Sequence, residues 1–345
     1  MLEKLISQLA AARPLVDGQV HLAVGQLTDE NVPTAIKAGF LTALAQKGET
    51  PGEIAAFARA LRDKSIQPPL DAETRAREIL DVVGTGGDRH GTFNISTTTA
   101  IVCAAAGVMV AKHGNRAITS QAGSADVLEA LGVRIDLTPA EAARSLRKHH
   151  FAFFFAPNYH PAFKHIAPAR KLCAERGQRT IFNFLGPLLN PARPSAMLVG
   201  VPRPELCETL ARVLQSLGVR RAMVVCGAVP TAGHLDELST LGPNTVAEFY
   251  QERGFATSVL SPEQFPVQSA KLADLIGGDR KTNAEIVRRI LRGGERGPKL
   301  DAVLLNAAAA LFVAGKTESL VAGWDLAAEI IDDGRAYAKL AELAH

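Results

Sequence analysis

Three short runs in this chain combine residue types suited to holding a phosphorylated ligand. In Gly84-Thr85-Gly86-Gly87-Asp88, three glycines let the backbone take positive φ and turn its amides toward an anion. Asn94-Ile95-Ser96-Thr97-Thr98-Thr99 crowds hydroxyls and free N–H groups at the start of an apolar, Ala-rich helix, a position that suits phosphate. Lys112-His113-Gly114-Asn115-Arg116 sets two cations and an amide around a permissive glycine. Asp236-Glu237 is an adjacent carboxylate pair in a loop directly after an expected strand, and two hard oxygen ligands there suit Mg²⁺. Each run alone has a plainer reading, as turn chemistry or as a solvated acidic pair such as Asp332-Asp333. Two successive strand ends that both carry phosphate chemistry favour a site. The final glycine of G-x-G-x-x-G is Arg89 here and no G-x-x-x-x-G-K-[ST] occurs, which excludes the usual dinucleotide and P-loop fingerprints.

The elements that must position these runs follow from periodicity. Residues 1 to about 70 read as helices. Thr50-Pro51-Gly52-Glu53 is a capping box followed by Ile54, Phe57, Ala58 and Leu61 at helical spacing. Thr28 is expected to cap a helix carrying Ile36, Phe40, Leu41 and Leu44, with Gly48 just past its end. Ser65 to Pro69 reads as a linker. From Ile79 the rhythm changes to short β-branched runs alternating with helices, the signature of a mostly parallel sheet. Strands are expected at 81–83, 108–111, 133–137, 151–155, 197–201 and 222–227, with an antiparallel edge pair at 245–250 and 257–260. Ser124 and Thr138-Pro139-Ala140-Glu141 should start helices, another should run from Ala162 to Arg176, and one from Pro204 to Leu217 should close at Gly218. Two more, around 301–314 and 324–344, should end the chain. The expected fold class is α/β, a mostly parallel central sheet flanked by helices with a smaller all-helical domain.

With 345 residues, 47% of them hydrophobic and 21% charged, the composition is that of an ordinary soluble globular protein. A net charge of +3, with dispersed Lys and Arg, makes no case for nucleic acid. Cys103, Cys173, Cys207 and Cys226 lie far apart and read as buried reduced thiols, not as a zinc site. The start MLEKLISQLAAARP has no apolar core followed by a cleavage site, and no apolar run spans a membrane, so a cytoplasmic protein without a membrane partner is expected.

In order and spacing, GTGGD, NIST, KHGNR and GSADVLEALG resemble the motifs of the anthranilate phosphoribosyltransferase family of the tryptophan pathway, which joins anthranilate to phosphoribosyl pyrophosphate (PRPP). KGETPGEI, HPAFKHIAPAR, RTIFNFLGPLLNPA, LDELS and DAVLLNAAAALFVAG extend the resemblance over nearly the whole chain. It implies a small helical domain over 1–73, with part of 160–192 packing onto it, and a large domain over 74–345. For PRPP it implies Gly84, Gly87, Asp88 and Thr92 in the first loop, and Asn94, Ile95, Ser96 and Thr97 at the helix start. Lys112, His113, Gly114, Asn115, Arg116, Ala117, Ile118, Thr119 and Ser120 follow in the second run, then Ser124. Ser96, Asp236 and Glu237 would hold magnesium, as two ions bound with PRPP, and Gly84, Asn115 and Arg170 would meet anthranilate. A homodimer joined through the helical domain is implied as well. Arginine offers a flat two-pronged donor matched to a carboxylate. His113, His160 and His165 could line a cleft around an aromatic amine.

The chemistry this implies is displacement at the anomeric carbon, with positive charge building on the ribose ring as pyrophosphate departs and no protein nucleophile. One departure is visible: Gln121-Ala122 stands where the family pattern leads one to expect Lys-Ser. Two rivals stay open. A pyrimidine-nucleoside phosphorylase shares the architecture but should lack the Asp-Glu pair. A non-catalytic nucleic-acid-binding relative should show degraded motifs and a denser basic surface.

Overall fold

In the computed structural model, which describes residues 1–117, 121–250 and 254–344, eight strands of those residues form one sheet. In chain order they are β1 (Ile79–Gly84), β2 (Met109–Gly114), β3 (Phe151–Phe155), β4 (Ala196–Gly200), β5 (Arg221–Val229), β6 (Gly233–Leu235), β7 (Asn244–Tyr250) and β8 (Gly254–Leu260). The first five run parallel in the order β3-β2-β1-β4-β5; β6, β7 and β8 pair antiparallel. From β1 the chain winds outward through β2 and β3, then crosses back to lay β4 on the other side of β1. Open α/β sheets bind ligands at the carboxyl ends of the strands where the winding reverses. That point is Gly84 and Gly200, which are partners in the β1–β4 register.

Alternation along the strands sends side chains to two layers. In β4 and β5, Met197, Val199, Val224 and Cys226 pack with the helices Asp17–Thr28, Thr34–Lys47, Pro51–Asp63 and Glu205–Ser216. Ile166, Cys173, Ile181 and Leu185 enter that same core. Leu198, Met223 and Val225 face the opposite way, toward Ile95–Ala105, Arg280–Leu291, Pro298–Val313 and the two C-terminal helices. The result is an α/β domain with a mostly parallel mixed sheet and an N-terminal helical bundle. No helix among the described residues is long and apolar enough to cross a membrane, and all four cysteines are buried and free.

Local rules explain most elements. Thr50 caps Pro51–Asp63 by accepting from the Glu53 amide at 3.2 Å while Glu53 accepts from the Thr50 amide at 2.9 Å. Several boundaries differ from the expectation. Thr28 ends a helix instead of starting one, its hydroxyl bonded back to the Val24 and Gly25 carbonyls, and the next helix begins at Thr34. Ser124 is the first residue of its helix; Gly123 precedes it and Asp126 bonds the Gly123 amide. Residues 133–137 form no strand: Val133 and Ile135 are buried and Arg134 and Asp136 exposed, but no neighbour completes a ladder. Pro168 lacks an amide hydrogen and starts a new helix (Ala167–Glu175) after a 3₁₀ turn at Pro161–His165, so the helix expected over 162–176 is in two pieces. Gly334, at φ +83°, splits the last expected helix into Leu320–Asp332 and Arg335–Leu343. The helix Arg280–Leu291 had not been expected.

Candidate active site

Two glycines clear the ground for the site. A Cβ on Gly84 would lie 2.2 Å from Asp236 Oδ2, and one on Gly200 would lie 1.7 Å from the Asp236 carbonyl oxygen. Only bare strand ends let the loop after β6 cross them at backbone distance. That loop is held from behind, where Asn306 accepts from the Leu238 amide and donates to its carbonyl, each at 3.0 Å, and Asn244 accepts from the Ser239 amide at 2.6 Å. In front, the Gly86 amide donates to Asp236 Oδ2 at 2.6 Å and the Ser96 amide donates to Glu237 Oε1 at 3.2 Å. The glycine loop, the helix start and the carboxylate pair therefore meet across the β1–β4 crevice. Thr92 sits at the far end of the loop in a bridge to Ile276, and Asn94 accepts from Asn283 at 2.9 Å.

Three acids, Asp88, Asp236 and Glu237, crowd the crevice. Burial raises the carboxyls of Asp236 and Glu237, Asp236 well above its usual range with Asp88 and Glu237 adding repulsion. Asp88 Oδ2 is buried without a donor. Among the described residues, no three carboxylate or imidazole groups close into a metal-ligand set. Two carboxylates and an orphaned acid oxygen nevertheless fit Mg²⁺, which takes one or two protein carboxylates and completes its shell with substrate phosphates and water.

The second run is arranged differently from the expected loop. Lys112, His113 and Gly114 lie inside β2. Lys112 is buried, its ammonium donating to the Val82 carbonyl at 2.6 Å and lying 3.4 Å from Ser96 Oγ. Burial lowers its pKa, opposed by the charges of Asp81 and Glu237. It is a cation beneath the crevice floor and no loop residue. Gly114 gives room to Ser124, whose hydroxyl lies 3.4 Å from the Asn115 carbonyl. Arg116 is paired with Asp126 and Glu129, both at 2.9 Å, and the Ala117 amide donates to Asp126, so neither is an unengaged phosphate donor. Ile95 and Thr97 are buried in the first turn of their helix. Ile118, Thr119 and Ser120 lie outside the described residues.

From His113 a file of rings leads away toward the bundle. Its ring packs edge-on to His160 at 5.5 Å, His160 stacks on Phe163 at 4.9 Å, and Phe163 meets Phe182 at 5.8 Å. The Arg170 guanidinium lies 5.0 Å from the centre of the Phe182 ring. Arg170 is half-buried, its pKa lowered by desolvation, and no carboxylate among the described residues pairs with it. Burial pushes His113 down to about 3 and His160 to about 4, so both are neutral. His113 Nε2 is buried without a partner. Arg170, Phe182, Phe163 and the two histidines thus form a packed file of rings with a cation at one end. His165 stands apart from this file, its carbonyl bonded to Lys37.

Two polar residues that hold the floor were missed in sequence. Asp81 is fully buried within β1, raised to about 6 by burial, and Asn190 donates to it at 2.8 Å and to the Ala111 carbonyl at 2.7 Å. An acid inside an apolar strand was the signal available for the first; nothing local marks Asn190. Asn306, which holds the carboxylate loop, stood out only as an amide in an Ala-rich helix.

Residues 76–337 match the family described as "Glycosyl transferase family, a/b domain", and residues 3–65 match its "helical bundle domain". The anthranilate phosphoribosyltransferase of Thermomicrobium roseum is 46% identical over 99% of this chain and 96% of its own length, and that of Lacticaseibacillus casei is 49% identical over 89% and 86%. Among solved structures, anthranilate phosphoribosyltransferase from Thermus thermophilus superposes with a TM-score of 0.89 at 42% identity, covering 98% of both chains. The Saccharomyces cerevisiae enzyme in complex with PRPP and Mg gives 0.86 at 28% identity, covering 99% of this chain and 96% of that one. Near-full-length identity of this order, on the same two-part architecture, decides against both rivals: the chain belongs to the anthranilate phosphoribosyltransferase family.

Proposed function

We propose that the β1–β4 crevice is the place where this chain performs the family's reaction, with PRPP against the strand ends and anthranilate beside the file of rings. The reaction transfers the phosphoribosyl group of PRPP to the amine of anthranilate, giving N-(5-phosphoribosyl)anthranilate and pyrophosphate, the second step of tryptophan biosynthesis. The observation that carries the placement is the meeting of the Gly86 and Ser96 amides with Asp236 and Glu237 across the crevice. Solved relatives support it: the yeast enzyme was crystallised with PRPP and Mg and, separately, with 4-fluoroanthranilate.

In this reading, backbone amides of 84–88 and the start of helix Ile95–Ala105 receive phosphate oxygens. Lys112 adds positive potential from below, and Asn115 and Ser124 close the sugar's flank. Asp236, Glu237 and Ser96 would hold magnesium, two ions in our proposal, whose chemistry is to neutralise charge gathering on the departing pyrophosphate. Arg170 takes the anthranilate carboxylate through its fork. The neutral histidines place no charge on that side of the crevice and leave the amine unprotonated for attack at the anomeric carbon. Positioning and leaving-group stabilisation do the work, without a covalent intermediate.

The boundary between the bundle and the catalytic domain is placed at 73/74. A homodimer through the bundle is proposed, supported by Val16 and Leu22 standing exposed on it at 66% and 49%. A cytoplasmic setting is proposed from the buried free thiols. Loss of anthranilate fluorescence on mixing with PRPP and Mg²⁺ tests the reaction. Calorimetric uptake of PRPP with magnesium, abolished by changes at Asp236 and Glu237, tests the placement, and uptake indifferent to them would reject it. Light scattering that returns a monomer mass would reject the dimer.

A further inference from the structure

Opposite the crevice, where the amino ends of β1, β4 and β5 meet the helical bundle, lies a second cavity of about 450 Å³. Its walls carry Arg59, Arg62 and Asp63 from the helix Pro51–Asp63, Arg75 from the short helix Ala72–Ala76, Arg193 from the turn before β4, and Arg220 from the turn before β5. Three of these guanidiniums are compensated: Arg59 by Asp17 at 3.0 Å, Arg193 by Asp63 at 3.1 Å and Arg220 by Glu78 at 2.6 Å. Among the described residues, Arg62 and Arg75 meet no carboxylate. Five guanidiniums line the cavity against one acid, Asp63, and counting the outlying partners Asp17 and Glu78 the cations still exceed the acids by two.

Arg62 gives the cavity its built character. The residue is only 6% exposed, its Nε donates to the Leu188 carbonyl, and its Nη2 is buried without a partner. Arg220 Nε is likewise buried and unpartnered. Leaving a buried guanidinium donor unmade is costly, and hydrogen bonds to charged groups are the strongest available remedy. Burial and the neighbouring Arg193 hold the Arg62 guanidinium down to about 10, the repulsion that a bound anion would relieve.

We propose that this cavity is a binding site for a small phosphate-class anion, separate from the crevice and bridging the helical bundle to the sheet. The planar fork of arginine matches tetrahedral oxoanions with paired N–H donors, and several guanidiniums converging on one space select such an anion over chloride. The volume admits inorganic phosphate or pyrophosphate, the latter a product of the reaction itself. Arg62 and Arg59 belong to the bundle and Arg193 and Arg220 to the sheet, so the anion ties the two together.

The test is calorimetric titration of inorganic phosphate into the full chain with its crevice saturated by PRPP and magnesium, at ionic strength held constant with chloride. One saturable phosphate per chain is expected, weakened about tenfold or more in the double variant Arg75→Gln/Arg193→Gln. Both residues are exposed, and unchanged circular dichroism will confirm that this variant folds. Arg62→Gln should weaken binding further; should it fail to fold, the double variant alone decides. A parallel titration of magnesium-free pyrophosphate into the wild type and the double variant tells the two sources apart: the anion with the larger loss of affinity in the variant is the cavity's ligand. No saturable phosphate uptake, or uptake indifferent to the double variant, overturns the proposal.

Discussion

The two halves of the crevice are built on different principles. The phosphate half is made of strand ends, a helix start and one loop, joined by backbone amides that donate to Asp236 and Glu237 and locked by the bare contacts at Gly84 and Gly200. The aromatic half is side chain on side chain: His113, His160, Phe163 and Phe182 in file, with Arg170 above the last ring. In the first half, the same atoms make the fold and the site, so a substitution there disturbs both. In the second, His113 projects from β2, but His160, Phe163 and Phe182 hang from a segment of short helices and 3₁₀ turns, where a side chain can change without moving the sheet. Chemistry of the leaving group should therefore depend on the first half and selection of the acceptor on the second.

The carboxylate pair gives the largest expected effect. Asp236→Asn with Glu237→Gln should cut kcat/KM by on the order of 10³-fold and remove its magnesium dependence, with circular dichroism unchanged. Full activity would take the metal away from this half of the crevice. Next, Gly200→Ala should lower both stability and kcat, because a methyl 1.7 Å from the Asp236 carbonyl oxygen forces the loop off the strand end. Overpacking of this kind costs about 1–3 kcal/mol, read as a fall in the urea midpoint. A neutral result would mean that the contact does not hold the loop.

Arg170→Ala should raise the KM for anthranilate about 10- to 100-fold while the KM for PRPP stays within about twofold. Equal effects on both constants would erase the distinction between the halves. The smallest effect concerns His160, whose folded-state pKa of about 4 lies below the ordinary 6.5. Unfolded chains then bind the extra proton, so this contribution is whole above pH 6.5 and drains away as pH falls toward 4. At pH 5 the loss is on the order of 2 kcal/mol. Asp81, raised to about 6, acts in the opposite sense over the same range. The check is therefore differential: the Tm gap between wild type and His160→Gln should narrow on acidification, and a constant gap would refute the neutral buried imidazole.

The same contrast explains what the sequence disclosed. Phosphate chemistry sits in contiguous runs, because a strand end and the helix start after it are neighbours in the chain, so GTGGD, NIST and the carboxylate pair were legible as motifs. Their partnership was legible only in outline, through the rule that such loops meet at a switch point. Lys112 was misplaced because periodicity ends strands poorly: β2 runs on through Gly114, which turns an expected loop cation into a buried one. The aromatic file was out of reach, since His113 and Phe182 are brought together by tertiary packing, and only the family resemblance singled out Arg170. Val133 to Leu137 shows the converse failure. Alternating burial there satisfies the strand pattern, yet an extended segment without a neighbour is not a strand.

Because the bundle's Phe40, Phe57 and Leu61 share one apolar interior with Met197, Val199 and Val224 of the sheet, the linker at 65–69 is a poor place to cut. A chimera exchanging the first 65 residues between relatives would graft one oily surface onto another shaped for a different sequence. To work, the swap must carry its matching strand positions and the stretch from Ile166 to Leu189 along with it.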